Sequence, residues 1–450
     1  MKKIYFVKLI PSLIFLFLLF GSEISAKQYS LNTRTIYDFS SINYESNRND
    51  DYNHDFYQYL NFSSDGYGLD NLSTYVSMRF EKGLGDIRRR DYFNDITDTY
   101  NGRDQVKIYN AYAKVKDIFS HADLTVGRQY FYGAELAHFD GGRLDLKRIG
   151  PIDLNFFGGR RVTFYDHPDR FGIWGGNLSI YPSEGTKIAA RILKYIDFSY
   201  DFSVYQAITP EIDFSGTYSL INNSPRDLVL DLNYNSYKLG TRATISYARK
   251  LSGIRADNFS FDYTASSNRG KEGLDVERLN IGRLAQYQDY SILLHQRVYK
   301  GLGIGASYTK RELINNNEGN PYNNDFDEFT AGFDWSDFIF DGTDLLANWK
   351  YFRNNRNSNR FETKSNVFDG RVAKRLSDNI FVDAGAFYKV YDYNNKHLDT
   401  VGFNGDVRAY INKNIDFKIK YAYEEEDPFV LPGAPVDFIQ NITVEVSFKF

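Results

Sequence analysis

The sequence predicts an all-β chain: a closed transmembrane antiparallel β-barrel with an even strand number, about 22 within a range of roughly 18–24. Three observations predict it. The last ten residues put Ile442, Val444, Val446, Phe448 and Phe450 on one parity and Asn441, Thr443, Glu445, Ser447 and Lys449 on the other. An extended strand of this kind has one apolar and one polar face, which suits a wall between hydrocarbon and water. The same alternation recurs along the chain, and Tyr and Phe number 37 each against 3 Trp and 2 Met. Rings in such numbers suit strands that cross an interface, where a tyrosine is buried while its hydroxyl meets water.

The N-terminus reads as a leader. Lys2 and Lys3 precede an apolar run around Ile10–Phe20, followed by Gly21, Ser22, Ser25 and Ala26. The run is well short of the ~20 residues of a membrane-spanning helix, so residues 1–26 are expected to be a cleaved signal peptide and the mature chain to begin near Lys27. The absence of cysteine leaves no lipid-attached N-terminus, no disulfide framework and no thiol-bound haem or metal. Loss of Lys2, Lys3, Lys8 and Glu23 takes the formal charge from −4 to −6. With that mild acidity and no basic arm, nucleic acid is not an expected partner.

Residues 27–450 are expected to form a single barrel domain. Mean hydropathy is −0.49, as for a soluble protein, but a transmembrane barrel hides its apolar face from averaging because every second residue is polar. Alternation begins at Leu31-Thr33-Thr35-Tyr37, which leaves no room for a plug domain after the leader. It returns in Leu72-Val76-Met78-Phe80, Leu228-Leu230-Leu232-Tyr234, Leu239-Thr241-Ala243-Ile245-Tyr247 and Phe259-Phe261-Tyr263. The C-terminal third adds stripes starting at Leu302, Ile380, Val401 and Ile415. Several end on Tyr, where an interfacial girdle lies in such barrels.

Connections are expected to alternate in length, with tight turns at Asn412-Lys413 and Tyr299-Lys300 and long polar loops at Lys310–Asp327, Asn354–Thr363 and Glu424–Asp437. Counting forward and backward disagrees by one strand between Ser267 and Tyr290, which an extra strand near Leu274–Leu284 reconciles. Thr186–Ala207 reads as one or two crossings. At ~18–23 residues per strand only a few loops are long.

The polar parity nominates the lumen wall. Its pore-lining candidates are Arg79, Arg143, Lys147, Arg161, Arg191, Arg242, Arg297, Arg408, Asp145, Asp231 and Asp383. Arg34, Lys389, Lys418, Lys420, Asp38, Asp123, Asp262, Asp406, Asp416 and Glu445 share the pattern. Such charges either set up a field across an aqueous pore or pair across neighbouring strands and brace the wall. Arg88-Arg-Arg90 lies in a long segment among aspartates and either narrows the pore, binds lipopolysaccharide phosphates or is solvated. Glu424–Asp427 and Asn315–Glu328 are oxygen-rich but lack calcium-loop spacing.

Two stretches carry a resemblance. The C-terminal strand ending on Phe448 and Phe450 resembles the terminal strand of Gram-negative outer-membrane barrels, which in that class is the assembly signal and closes on the first strand. Val126-Gly-Arg-Gln-Tyr-Phe-Tyr-Gly133, Phe139-Asp-Gly-Gly-Arg-Leu-Asp-Leu146 and Phe157-Gly-Gly-Arg-Arg-Val162 resemble porin-like barrels, including the alginate-export type and porins of delta-class proteobacteria. The resemblance implies porin-like architecture, an outer-membrane location, and contact with outer-membrane lipid, lipopolysaccharide and the barrel-assembly machinery. This wall, with nearly as many acids as bases, departs from the cationic path of the alginate-export type.

Catalysis is not expected. His54, His121, His138, His167, His295 and His397 are scattered, there is no Gly-x-Ser-x-Gly elbow, and no Cys-x-x-Cys-His for a c-type haem. No cofactor is expected. The expected function is passive diffusion of small hydrophilic solutes, anions among them, through a charged lumen. The alternative is a sheath around a periplasmic multihaem cytochrome, because a wide barrel without its own plug either conducts or is filled by a partner.

Overall fold

The computed structural model of the chain describes residues 28–44, 51–66, 69–84, 104–134, 136–162, 172–195, 197–250, 286–314, 325–354, 362–393, 396–425 and 436–450. The leader expected over 1–26, the arginine run at Arg88-Arg-Arg90, the stripe Phe259–Tyr263 with Asp262, half of Glu424–Asp427 and most of Asn315–Glu328 lie outside the described residues.

Among the described residues twenty-two strands follow one another along the chain. They are β1 (Gln28–Tyr44), β2 (Asp51–Asp65), β3 (Leu72–Gly83), β4 (Asp104–Ile118), β5 (Ala122–Tyr132), β6 (Leu136–Ile149), β7 (Ile152–Arg161) and β8 (Gly172–Ser183). Then come β9 (Thr186–Lys194), β10 (Phe198–Thr209), β11 (Ile212–Ile221), β12 (Ser224–Ser236), β13 (Thr241–Lys250), β14 (Tyr287–Tyr299) and β15 (Leu302–Leu313). The last are β16 (Phe326–Trp335), β17 (Thr343–Asn354), β18 (Glu362–Ser377), β19 (Ile380–Tyr393), β20 (Lys396–Asn412), β21 (Ile415–Glu425) and β22 (Val436–Lys449). Each pairs antiparallel with its neighbour in sequence, and β1 pairs with β22, so the sheet closes. At a spacing of about 4.8 Å and a tilt of ~40°, 22 strands close into a circle roughly 44 Å across between opposite Cα atoms.

Closure is made by the two ends of the chain. The Phe450 N–H donates to the Leu31 carbonyl at 2.9 Å and the Leu31 N–H to the Phe450 carbonyl at 3.0 Å. Further along the seam Asn441 and Thr443 donate to the Asp38 carboxylate at 2.9 and 3.0 Å.

Thr186–Ala207 contains two crossings, β9 and β10. The additional strand expected near Leu274–Leu284 lies outside the described residues; among the described ones Thr241–Lys250 pairs directly with Tyr287–Gln296. Alternation of connection length is only partial. On the side away from the chain ends lie the longer connections 45–50, 84–103, 162–171, 251–286, 314–325, 355–361 and 426–435, but also the short ones 133–135, 195–197, 222–223 and 394–395. At Asn222 and Asn223 both φ values are positive, the geometry of a two-residue hairpin whose twist matches its strands.

Register assigns every side chain a face. Leu232, Ile245, Ile292, Tyr308, Phe329 and Tyr351 lie opposite one another across β12–β17, and one residue along, Asp231, Ser246, Ser291, Thr309 and Glu328 form the row on the other face. A single closed wall buries side chains deeply on its concave side, where neighbours converge. Asp123, Asp145, Asp201, Asp416 and Glu81 are buried there. The polar parity is therefore the inner one, and the outer face is an apolar belt rimmed by rings such as Trp349, Phe368 and Tyr388.

One sector breaks the expectation of a uniformly polar inner face. Phe131, Phe139, Phe157, Ile173, Leu193 and Tyr195 form a buried cluster on the concave side of β5–β9. Glycine makes this possible: a Cβ placed on Gly141 would lie 2.6 Å from the Gly159 Cα. Without side chains there, adjacent strands bend sharply toward each other and the wall packs against itself, excluding water from the rings.

Candidate pore wall

The inner face is a chain of ion-paired clusters. In β1–β4 the Glu81 carboxylate, 2 % exposed, is held by Arg79 and by Lys107 Nζ at 2.9 Å. The Arg79 guanidinium also sits 5.6–5.7 Å from the ring centres of Tyr57, Tyr59 and Tyr109 and donates to the Tyr59 hydroxyl at 3.3 Å. Arg34 stacks over Tyr59 at 4.4 Å and reaches Glu445 across the closing seam at 3.9 Å. Cations laid on ring faces keep their charge toward the lumen while covering apolar wall.

In β4–β6 the buried Asp123 collects Lys114 Nζ at 2.8 Å, Lys147 Nζ and the Asp117 N–H at 3.1 Å. Beside it Arg143 donates to Asp145 at 2.8 Å and lies 5.2 Å over the Phe131 ring. Arg161 donates to the Tyr195 hydroxyl at 3.1 Å, at the edge of the apolar corner.

Across β9–β15 the pattern continues. Arg191 and Arg226 approach Asp201 at 3.9 and 3.6 Å, and Arg226 meets Asp227 at 2.9 Å. Arg311 grips Asp289 with two bonds of 2.7 Å, the fork geometry that fixes a carboxylate most firmly. Asp231 accepts from Ser246 at 2.6 Å and Ser215 at 3.4 Å.

The sector β18–β22 carries the densest mixture. Arg371 meets Asp383 at 2.5 Å, Lys418 meets Asp406 at 3.3 Å, and Asp416 lies between Arg408 at 3.8 Å and Lys449 at 3.7 Å. Gly385, Asn404 and Ala422 share one register row here, so the wall recedes into a recess of about 520 Å³ bordered by Asp369, Arg371, Asp406 and Lys420.

Of the residues nominated by alternation, Arg79, Arg143, Lys147, Arg191, Arg408, Asp145 and Asp383 lie in ion pairs on the concave parity. Arg161 and Asp231 are held by hydroxyls. Arg242 and Arg297 also fall on this parity, Arg242 opposite His295 and Arg297 opposite Gly303. Among the described residues neither has a carboxylate partner. Alternation alone misses Glu81, Lys107, Lys114, Asp201, Arg226, Asp289, Arg311 and Arg371. Several sit near strand ends or bulges, where parity slips, as between Ser219 and Leu220 opposite Arg226.

Within the glycine–arginine stretch the faces divide. Arg143 and Arg161 point inward, whereas Arg128, Asp140 and Arg160 form an outward row. Among the described residues no three histidine, aspartate or glutamate side chains are grouped to hold a metal ion.

A closed, even-stranded antiparallel wall with an apolar outside and a polar inside is porin-like architecture. The chain matches no protein-family model and no curated protein. Solved structures similar in outline include OccAB4 of Acinetobacter baumannii, at 12% identity and TM-score 0.46 over 95% of this chain and 99% of that one. A BenF-like porin from Pseudomonas fluorescens is similar at 11% identity and TM-score 0.46, over 94% of this chain and 98% of that one. The P pilus usher PapC translocation pore is similar at 9% identity and TM-score 0.46, over 93% and 99%.

Proposed function

We propose that the chain is an outer-membrane channel through which small hydrophilic solutes diffuse passively. The observation that carries this reading is the closed 22-stranded wall with an apolar belt outside and an ionic surface inside. Every described residue belongs to that wall or to its connections. Diffusion through such a lumen needs no covalent step, and the wall's task is to remain hydrated and rigid.

Most inner charges are neutralised by a partner on the same or an adjacent strand, so their fields cancel beyond about one Debye length, ~8 Å at physiological salt. Discrimination between ions then falls to charges without an opposite partner. Among the described residues these include the cations Arg242, Arg297 and Lys420 and the acids Asp38, Asp213, Asp231 and Asp369, which accept from neutral side chains, so the sign of the selectivity rests on which of these charges lie nearest the narrowest part of the lumen.

Single-channel conductance in a planar bilayer tests the reading. Discrete open steps are expected under a salt gradient, with a reversal potential whose sign reports which of these charges line the narrowest part. A silent barrel, or a very large unselective conductance, overturns the diffusion-pore reading in favour of a sheath around a partner such as a multihaem protein. The roughly 44 Å circle of Cα atoms is wide enough to admit one.

A further inference from the structure

On the outer face of β5–β9 three features coincide. Arg128, Asp140 and Arg160 lie side by side in one outward row, with Arg128 gripping Asp140 through two bonds of 2.8 Å. Beyond Arg160 the next position in the row is Gly172, which has no side chain, and both oxygens of the neighbouring Asp140 are committed to Arg128. One step toward the chain-end side, the next outward row reads Val126, Gly142, Gly158, Trp174, Lys194.

That second row is a trough. A Cβ on Gly142 would meet nothing within 4 Å, and one on Gly158 would meet only ordinary contacts, the nearest the Trp174 Cβ at 3.7 Å. Two neighbouring strands without side chains leave a gap about 10 Å wide between Val126 and Trp174. Its lower end is floored by the apolar Leu144 and Phe156. The trough is apolar below and cationic above.

Its height decides what fits it. Arg160 is eight residues above Ile152, the outward residue beside the turn, which at ~3.3 Å per residue and ~40° tilt is roughly 20 Å along the membrane normal. An outward apolar band of ~25 Å ends near there, and outward cations are costly at the bilayer midplane but nearly neutral at the interface. The side in question is that of the long loops, away from the chain ends, so the row faces the headgroups of the outer leaflet.

We propose that this surface is a binding site for a phosphorylated, multiply acylated lipid of the outer leaflet. The phosphate is taken by Arg160 with Lys194 below it, and an acyl chain lies in the Gly142–Gly158 trough against Trp174. The Arg128–Asp140 fork braces the clamp. The site rests on outer-membrane placement but not on conduction, so a barrel that conducts nothing leaves it intact.

Native mass spectrometry of the purified, folded full-length chain tests it, with lipid A bearing two phosphates competing against the same lipid with both phosphates removed. The phosphorylated form is expected to be retained preferentially. Arg160→Ala, which removes a charge-assisted contact, and Gly158→Val, which fills the trough, are each expected to weaken retention roughly tenfold. Arg160→Lys should restore part of it, and Arg353→Ala, an outward arginine on β17, should change nothing. Folding of each variant is checked by its heat-dependent gel mobility; if Gly158→Val fails to fold, the phosphate comparison and Arg160→Ala decide alone. Equal retention of the dephosphorylated lipid, an unaffected Arg160→Ala, or an equal loss in Arg353→Ala overturns the site.

Discussion

Arg371 Nε lies 2.5 Å from an Asp383 carboxylate oxygen, joining β18 to β19 at the edge of the receding wall between β18 and β22. More than half of the Arg371 side chain is exposed while the aspartate is 12% exposed. The pair is therefore worth little as stability, about 0–1 kcal/mol after solvent screening, and its weight is electrostatic: each partner masks the other's charge from the lumen.

Arg371→Gln is expected to unmask Asp383 and move the reversal potential toward the cation. Asp383→Asn should move it toward the anion, and the double variant should return close to the parent value. A salt-gradient measurement on all four proteins checks this; unmoved reversal potentials in both single variants would mean that permeating ions do not sense the pair.

Arg242 and Arg297, which have no carboxylate partner among the described residues, are expected to favour anions. Replacing both by Gln should move the reversal potential toward the cation while leaving unfolding unchanged. An unaltered reversal potential would place selectivity elsewhere in the lumen.

Glu81 is buried between Arg79 and Lys107. Glu81→Gln leaves two crowded cations without their counter-charge, a loss of about 2–3 kcal/mol given some lumen hydration. The midpoint of urea unfolding in micelles should fall, whereas Glu312→Gln on the outer face should leave it within error.

A methyl group at position 141 would collide with the Gly159 backbone. Gly141→Ala is expected to cost about 1–3 kcal/mol as overpacking and to reduce the folded fraction seen by gel mobility. Gly142→Ala, one residue along and open to space, should fold as the parent does.

Removing Phe450 deletes both backbone bonds to Leu31 at the closing seam. Less of the truncated chain should reach the outer-membrane fraction of expressing cells, and Phe448→Ala should show a milder defect. Normal levels of both would argue against a C-terminal assembly signal.

The alternation of residues by itself determined the fold class, because a period of two assigns each strand a wet and a greasy face whatever its neighbours are. It also determined that Phe448 and Phe450 share the apolar parity and that Arg79, Arg191 and Arg408 share the polar one. Only the tertiary structure decided the partners. Arg371 sits in Val367-Phe368-Asp369-Gly370-Arg371-Val372, where apolar residues occupy both parities and no face can be read, until pairing with Leu346 and Gly385 turns it inward. Arg128 and Arg161 belong to one glycine–arginine pattern yet face opposite sides, because one residue of register inverts a side chain's face. The apolar corner at Phe131, Phe139 and Phe157 arises because three consecutive strands approach closely at glycines, which the register across them decides. Ion pairs and corners of this kind depend on cross-strand neighbours, and cross-strand register is the quantity that a one-dimensional pattern leaves free.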